Sequence, residues 1–395
     1  MLVKLNRDSW QFKLFAYMTS QGISLLGSTI VSFAVIWYVT LKTGSGIAVA
    51  GITITTFLPQ ALVMLYGGVL ADRYPPKRIV ILADSFVALS TLILAILFMS
   101  GVDDIGWIFF FNCLRSLGSG ILLPSIKSML PLFVPNEELM RANSIYTSIW
   151  FVIQLTSPGL SGIVMSRLSM TGVFFTDVMT AVIGVLLLSA ISMPPRESGR
   201  SGNNPVDDLK SGAIYIIKNR SLKNSIIFYS IFSFLVVPAS QLTALLATQT
   251  FGNEIWILST IETAFSIGAL LASLLMIYKK LKIRPFRLIG FSAVLFGLVM
   301  ASLIFSKNLI LFIGLMLVMG IGSPLYYTPL TTYIQEITDE QYMGRTFSFV
   351  DLFSSLATPL GMLLFGPLAE LSIILPFLIP GVLLIVLGLR ASKIS

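Results

Sequence analysis

From residue 12 to residue 391, apolar runs long enough to cross a bilayer follow one another with only short polar breaks between them. The hydrocarbon core of a membrane takes roughly 20 helical residues at ~1.5 Å rise each. Inside it every backbone amide must be paired within its own segment, and these runs are too long and too uniformly apolar for barrel strands, so each is expected to be a helix. A soluble alternative fails on composition: of 395 residues 55% are hydrophobic and 11% charged, where a water-facing surface needs roughly 25% charged. The expected fold class is an all-α integral membrane protein.

Breaks placed where charge, proline and glycine cluster give twelve spans, near 12–40, 47–71, 79–99, 105–130, 141–166, 171–193, 223–249, 255–277, 286–305, 309–334, 346–368 and 370–391. Lysine and arginine are held on the cytoplasmic side. With the N-terminus inside, 22 of the 26 fall on inner segments, three (Lys42, Arg167 and Lys307) on outer ones, and Arg115 lies within a span. Both termini are then cytoplasmic, and the net charge of +8 reflects a basic inner face beside anionic lipid, not nucleic acid. The apolar stretch after Lys4, Arg7 and Lys13 is about twice a signal-peptide core and lacks a small-residue cleavage site, so the N-terminus is expected to be kept.

The longest polar stretch, Pro194 to Asn224, divides the chain into an N-terminal six-helix bundle over 1–193, a cytoplasmic linker over 194–222 and a C-terminal six-helix bundle over 223–395. The halves repeat: Pro124 through Arg141 corresponds to Pro329 through Arg345, and Ser157-Pro158 to Thr358-Pro359, at offsets of 201 to 205 residues. Parallel halves of this kind are a transporter design, with substrate between two moving bodies. There is no histidine, and one cysteine, Cys113. That removes disulfides, Cys/His zinc sites, haem ligation and imidazole triads. Any proton chemistry falls to carboxylates, and no metal or cofactor is expected.

The loop between the second and third spans reads Gly67-Gly68-Val69-Leu70-Ala71-Asp72-Arg73-Tyr74-Pro75-Pro76-Lys77-Arg78. Gly68 permits close helix approach. Asp72 emerges at the inner surface beside Arg73, Lys77 and Arg78, where a carboxylate can receive a facing helix N-terminus or pair with a cation in one of two domain arrangements, a cytoplasmic gate. Asp351, near the start of the eleventh span, is grouped with this gate, although an acid is favourable at any helix N-terminus.

This loop resembles the signature of the major facilitator superfamily. Arg115-Ser116-Leu117-Gly118 with Pro124, Leu132-Phe133-Val134-Pro135, Glu138-Leu139, Ala142-Asn143-Ser144, Phe174-Phe175-Thr176-Asp177 and Gly344-Arg345-Thr346-Phe347-Ser348 are similar to the macrolide-efflux branch of its twelve-span drug:proton antiporters. The resemblance covers essentially the whole chain and implies the major facilitator fold. Two departures stand out. Pro75 and Pro76 occupy positions where the signature has Gly and Arg, and Lys279-Lys280-Leu281-Lys282 in the second half lacks the acidic pattern.

Arg115 sits about ten residues into the fourth span, where a buried cation costs at least ~2.5 to 3.5 kcal/mol and demands a partner or water. The resemblance implies a role in proton coupling for it. The equivalent position in the tenth span is Gly320. Asp84, Asp177 and Glu262 are the candidate proton carriers. Helical rise puts Asp84 and Asp351 each roughly 9 Å from the inner boundary, and Asp177 and Glu262 about as deep from the outer one. Asp84 is at a depth that the long Arg115 side chain can reach if the third and fourth helices are neighbours, with a gate-stabilising hydrogen bond near Arg73 or Arg78 as its plainer alternative. Asp177 and Glu262 could equally be hydrated acids near an interface.

Gln21, Ser24 and Ser28 form a polar stripe at helical spacing on the first span. In the family the first, fourth, seventh and tenth helices line the central cavity, which adds Asn112, Gln241, Tyr326 and Tyr327. Tyr146, Trp150 and Gln154 repeat at four-residue spacing on the fifth span and are assigned to the same cavity. Ser157-Pro158-Gly159-Leu160-Ser161-Gly162 resembles the antiporter packing motif, so Pro158, Gly159 and Gly162 are expected to bend and pack the fifth helix. No phosphate-binding Gly-x-x-x-x-Gly-Lys pattern occurs, so ATP is not the direct driver. The expectation is a secondary active transporter, not an enzyme: a monomer in the bacterial cytoplasmic membrane that exports drug-like amphipathic compounds on the proton gradient by alternating access, its partners small-molecule substrate, protons and lipid. Alternatives are an exporter of a siderophore, peptide antibiotic or lysophospholipid on the same fold, and a membrane sensor or scaffold.

Overall fold

The structure is a computed structural model and describes residues 10–135, 138–192, 205–278, 285–339 and 342–392. Among them the regular elements are all helical, and nine helices are long and apolar enough to cross a membrane. The chain forms two compact units, Met1–Tyr38 with Thr55–Ser201, and Val39–Ile54 with Gly202–Ser395.

The first unit is built on α1 (Trp10–Thr43), α2 (Gly46–Arg73), α3 (Pro76–Met99), α4 (Ile105–Met129) and α5 (Leu139–Ser189). The ends of α1 and the start of α2 belong by packing to the second unit. Asp104 starts α4 by accepting the Gly106 N–H, so one of the unpaired amides of its first turn is satisfied. A 3-10 turn, Leu130–Leu132, ends it. The 51 residues of α5 comprise two arms, because Ser169 takes φ 60° and ψ −176° in mid-helix, a conformation outside the helical region. The fifth and sixth spans read from the sequence are these arms. At one end the unit closes on an apolar core from all of α1, α3, α4 and α5, in which Tyr17 is fully buried and donates to the Ile126 carbonyl at 2.8 Å.

In the second unit, α6 (Pro205–Lys218) lies within the stretch expected to be a linker. It packs with α7 (Arg220–Leu235) and α13 (Met343–Leu371): Tyr215 stacks on Tyr342 at 4.1 Å and accepts the Asp339 N–H at 2.9 Å. Val206, Leu209, Ala213, Ile214, Ile216 and Ile217 give this segment an apolar content that charged neighbours such as Asp207 and Asp208 obscure in the sequence. The expected seventh span is three helices, α7, α8 (Val237–Gln241) and α9 (Thr243–Phe251). Pro238 has no N–H for the helical ladder, and the helix breaks there.

The remaining helices are α10 (Ile255–Tyr278), α11 (Pro285–Phe305), α12 (Leu309–Ile337), α13 and the 17-residue α14 (Leu375–Ala391). They meet backbone to backbone. A Cβ on Gly320 would fall 1.9 Å from the Phe265 carbonyl oxygen, and one on Gly297 2.3 Å from that of Gly381. Such crossings let dispersion and interhelical polar contacts hold helices that gain nothing from hydrophobicity relative to lipid.

Gly320→Ala is therefore expected to destabilise the protein by about 1 to 3 kcal/mol, the usual cost of overpacking. Gly314→Ala on the same helix, where a Cβ meets nothing within 4 Å, is expected to be neutral. Thermal melting of the two purified variants in one detergent compares them directly.

Candidate functional site

Four helical segments of the first unit converge on a buried polar cluster. Two glycines set the approach. A Cβ on Gly27 of α1 would lie 1.8 Å from Thr180 Oγ1 and 3.1 Å from the Asp177 Cα, and one on Gly118 of α4 would lie 2.6 Å from Val87 of α3. With those side chains absent, α1 sits directly on the second arm of α5, and α4 on α3.

Arg115 is 7% exposed and its Nη1 forms an ion pair with Asp177 Oδ2, which is 1% exposed. The same nitrogen donates to Thr91 Oγ1 of α3. Thr91 donates to Asp177 Oδ2 at 2.9 Å, and Ser28 of α1 donates to Oδ1 at 3.0 Å. The arginine's partner is thus Asp177, while Asp84, at a depth it could have reached, is not paired with it. Asp177 is not a hydrated interfacial acid: the second arm of α5 turns it inward.

Asp84 lies two turns before Thr91 on α3, about 10 Å along the helix. It is 4% exposed and held by Ser24, whose hydroxyl reaches both carboxylate oxygens at 2.8 and 2.9 Å. The serine stripe on α1 is therefore not a water-lined wall. Ser24 and Ser28 point at the two acids and serve as their hydrogen-bond donors, while Gln21 is buried with its Nε2 at 3.4 Å from Ser20 Oγ. A serine four residues from another, facing two in-span acids, was a signal in the sequence for this role.

Glu262, the fourth candidate acid, belongs to α10 in the second unit, and its half-buried carboxylate accepts no hydrogen bond among the described residues. The gate residues are distributed likewise. Lys77 donates to the carbonyls of Ser189 at 2.8 Å and Ile191 at 2.7 Å, so it caps the end of α5 within the first unit. Arg78 is exposed, Asp351 lies on α13 in the second unit, and the side chains of Gly68, Asp72 and Arg73 are outside the described residues. Outside them too are the Lys279–Lys282 loop and the side chains of Pro124, Arg141 and Arg345.

The cavity candidates separate. Asn112 donates to Thr55 and Thr56 of α2 at 3.2 and 2.7 Å, and Gln241 accepts from Thr53 at 3.2 Å, so both are helix-joining residues. Tyr326 is fully buried and stacked on Phe232 with ring centroids 3.4 Å apart; Tyr327 is half-buried beside Tyr229. A groove of about 730 Å³ does run between α1 and the first arm of α5. Its α5 wall is Ile145, Ile149 and Ile153, the row adjoining Tyr146, Trp150 and Gln154, and its α1 wall includes Leu14, Met18, Gly22 and Leu26. The sequence reading was one residue out of phase there, having weighed aromatic and amide groups above isoleucine. Pro158 and Gly162 are buried and Gly159 partly so, and Ser161 between them donates to the Ile30 carbonyl of α1 at 3.1 Å, which fits a packing motif.

The buried Arg115–Asp177 ion pair and Asp84 thus lie among helices long and apolar enough to cross a membrane. Residues 11–394 match the family described as transmembrane secretion effector. The chain belongs to that family, within the major facilitator superfamily of transporters, and is not an enzyme. It is similar to macrolide efflux protein A of Streptococcus pyogenes, 26% identical over 98% of this chain and 97% of that one. It is also similar to the multidrug efflux pump Tap of Mycolicibacterium fortuitum, 25% identical over 95% and 94%, and to the staphyloferrin A transporter of Staphylococcus aureus, 22% identical over 93% and 92%. Among solved structures, a bacterial homologue of the human lysosomal transporter Spinster matches with a TM-score of 0.73 at 14% identity, over 97% of this chain and 95% of that one. The substrate class is accordingly a small molecule and the setting a membrane.

Asp177→Asn leaves Arg115 buried without its counter-charge and is expected to destabilise the protein by about 3 to 5 kcal/mol. The double variant Arg115→Met/Asp177→Leu, which removes both charges, is expected to recover most of that loss when the two are melted side by side.

Proposed function

We propose that the chain crosses the bacterial cytoplasmic membrane twelve times with both ends in the cytoplasm, and that it exports drug-like amphipathic compounds in exchange for protons by alternating access, as a monomer. The observation that carries the proton coupling is the stoichiometry of the buried cluster. One buried guanidinium, Arg115, is paired with Asp177, while a second buried carboxylate, Asp84, is held by Ser24, and all three residues are at most 7% exposed. With both acids ionised the cluster has one negative charge in excess, which is costly away from water, and a single bound proton makes it neutral. Arg115 is paired with Asp177 of α5 at the level of Thr91, and Asp84 lies about 10 Å further along α3. A proton on Asp177 weakens the existing pair and leaves Asp84 as the remaining anion, so the proton and the arginine exchange places. That is a two-state element of the sort alternating access requires.

The twelve-span topology is supported by the two arms of α5 and by the broken α7 to α9 and the short α14, which supply crossings that length and hydropathy alone do not count. Export of amphipathic drugs is supported by the macrolide and multidrug relatives. The volume of the α1–α5 groove also falls in the range of roughly 300 to 1,000 Å³ usual for small-molecule sites. The staphyloferrin A relative supports a siderophore as the second reading. The driving force is the proton gradient, with no cofactor.

Efflux from pump-deficient bacteria, assayed over a panel of macrolides and cationic dyes, tests this. Asp84→Asn, Asp177→Asn and Arg115→Ala are each expected to lose on the order of tenfold in concentrative export, a typical size for a lost coupling energy. A protonophore is expected to abolish export by the unaltered protein. Wild-type export by all three variants, with protonophore sensitivity intact, overturns the coupling assignment.

A further inference from the structure

α6 has two different faces. Against the protein it sets Gly212 and Ile216, both buried, and Tyr215, whose ring lies on that of Tyr342 and whose hydroxyl accepts the Asp339 N–H. Lys210, Ile214, Ile217 and Lys218 are exposed, the two isoleucines at 44% and 65%. At ~100° per residue these four share one arc, in the order Ile217, Lys210, Ile214, Lys218, so apolar and cationic side chains alternate across it. A helix of 14 residues spans about 21 Å, short of the hydrocarbon thickness of a bilayer. Its exposed isoleucines are therefore neither core nor the wall of a crossing helix.

The same composition carries over the next corner. Asn219 accepts the Leu222 N–H, which starts α7 as a separate helix. Arg220 and Lys223 are exposed in its first turn, and Ile227 and Ile231 follow Lys223 at four-residue spacing, exposed at 49% and 43%. That stripe runs along one side of α7 and ends in charge at Lys223. Asp207 and Asp208 lie in the first turn of α6, where acids complement the helix dipole. From Leu209 to Asn253 the charged residues are Lys210, Lys218, Arg220 and Lys223 alone, and none of them is ion-paired among the described residues.

We propose that the α6–α7 corner binds anionic phospholipid of the inner leaflet: Ile214 and Ile217 lie against acyl chains, and Lys210, Lys218, Arg220 and Lys223 hold the phosphate group. Lysine stems cover apolar surface while their ammonium heads reach the headgroup level, which an arc of alternating isoleucine and lysine permits. Each cation close to an anionic surface adds to the attraction. A protein partner fits this face poorly, because lysine is depleted from the centre of protein interfaces. Occupancy does more than attach the helix. Through Tyr215 the corner is fastened to Tyr342 at the head of α13 and to Asp339 just past the end of α12, so a bound lipid braces the turn between those helices. The proposal rests on the twelve-span reading above, which puts this corner on the cytoplasmic side.

The test titrates detergent-purified protein with phosphatidylglycerol or phosphatidylcholine and follows its melting temperature. Phosphatidylglycerol is expected to stabilise at lower concentration than phosphatidylcholine. Lys218→Gln/Arg220→Gln is expected to raise the phosphatidylglycerol concentration required, roughly fivefold for each cation removed, and to leave the phosphatidylcholine response unchanged. In proteoliposomes, a fluorescent group on Ile217→Cys in a Cys113→Ser background is expected to be quenched by bromine-substituted acyl chains. Tyr215→Ala is expected to keep that quenching and to lose the gain in melting temperature. An equal phosphatidylglycerol response in the unaltered protein and Lys218→Gln/Arg220→Gln overturns the phosphate site. A probe at position 217 unquenched by these chains overturns the lipid contact, whether water or a protein covers the face. Undiminished stabilisation of Tyr215→Ala overturns the brace. Reaction of Lys218→Cys with a membrane-impermeant maleimide added to intact cells overturns the inner-leaflet assignment and the orientation it rests on, whatever the lipid titration gives.

Discussion

A guanidinium taken out of water has to find a carboxylate, and the organisation of the first unit follows from how Arg115 finds Asp177. Isolated, either charge would cost several kcal/mol in so dry a place. Their pairing ties the fourth helix to the second arm of α5, and three hydroxyls complete the acids: Thr91 and Ser28 on Asp177, Ser24 on Asp84. The glycines at 27 and 118 are the complement of this arrangement, since a methyl group at either position would hold the helices too far apart for those hydrogen bonds. Packing and electrostatics specify the same geometry.

The second unit meets the demands of the bilayer in another way. Its helices cross at glycine, and its interior is aromatic, with Phe232 and Tyr326 stacked face to face and Phe296 edge-on to Phe232. The carboxyl group of Glu262 stands apart from any such network of hydroxyls among the described residues. Two units of related sequence thus differ in their interiors: the first holds an arginine and two acids among hydroxyls, and the second an aromatic stack and close glycine crossings.

Helices and their approximate limits were legible in the sequence because hydropathy and backbone pairing in lipid leave a segment few options. Helix, acid and arginine were each evident at Asp84, Asp177 and Arg115, but the pairing between them was not. Depth alone favoured Asp84, and the inward turn of Asp177 depends on the Ser169 bend, which no composition signals. The α1–α5 groove was not anticipated for a related reason: its wall of Ile145, Ile149 and Ile153 adjoins the row Tyr146, Trp150 and Gln154, and a rotation of one residue about a helix axis exchanges one row for its neighbour. Tyr326 was assigned to a cavity because the resemblance puts the tenth helix at its wall, whereas stacking with Phe232 holds its ring in the core. The linker's helix α6 was missed because its apolar residues are interleaved with charge, and its docking on Tyr342 is tertiary.

Gly320 occupies the place in the tenth span that Arg115 occupies in the fourth. Any side chain grafted there would have to enter the space now filled by the Phe265 carbonyl. The ancestral symmetry implied by the repeat is therefore broken irreversibly at this one position: a cation cannot be restored to the second half without parting α10 from α12, and a glycine cannot replace the first half's cation without orphaning an acid. The two halves have become non-interchangeable parts.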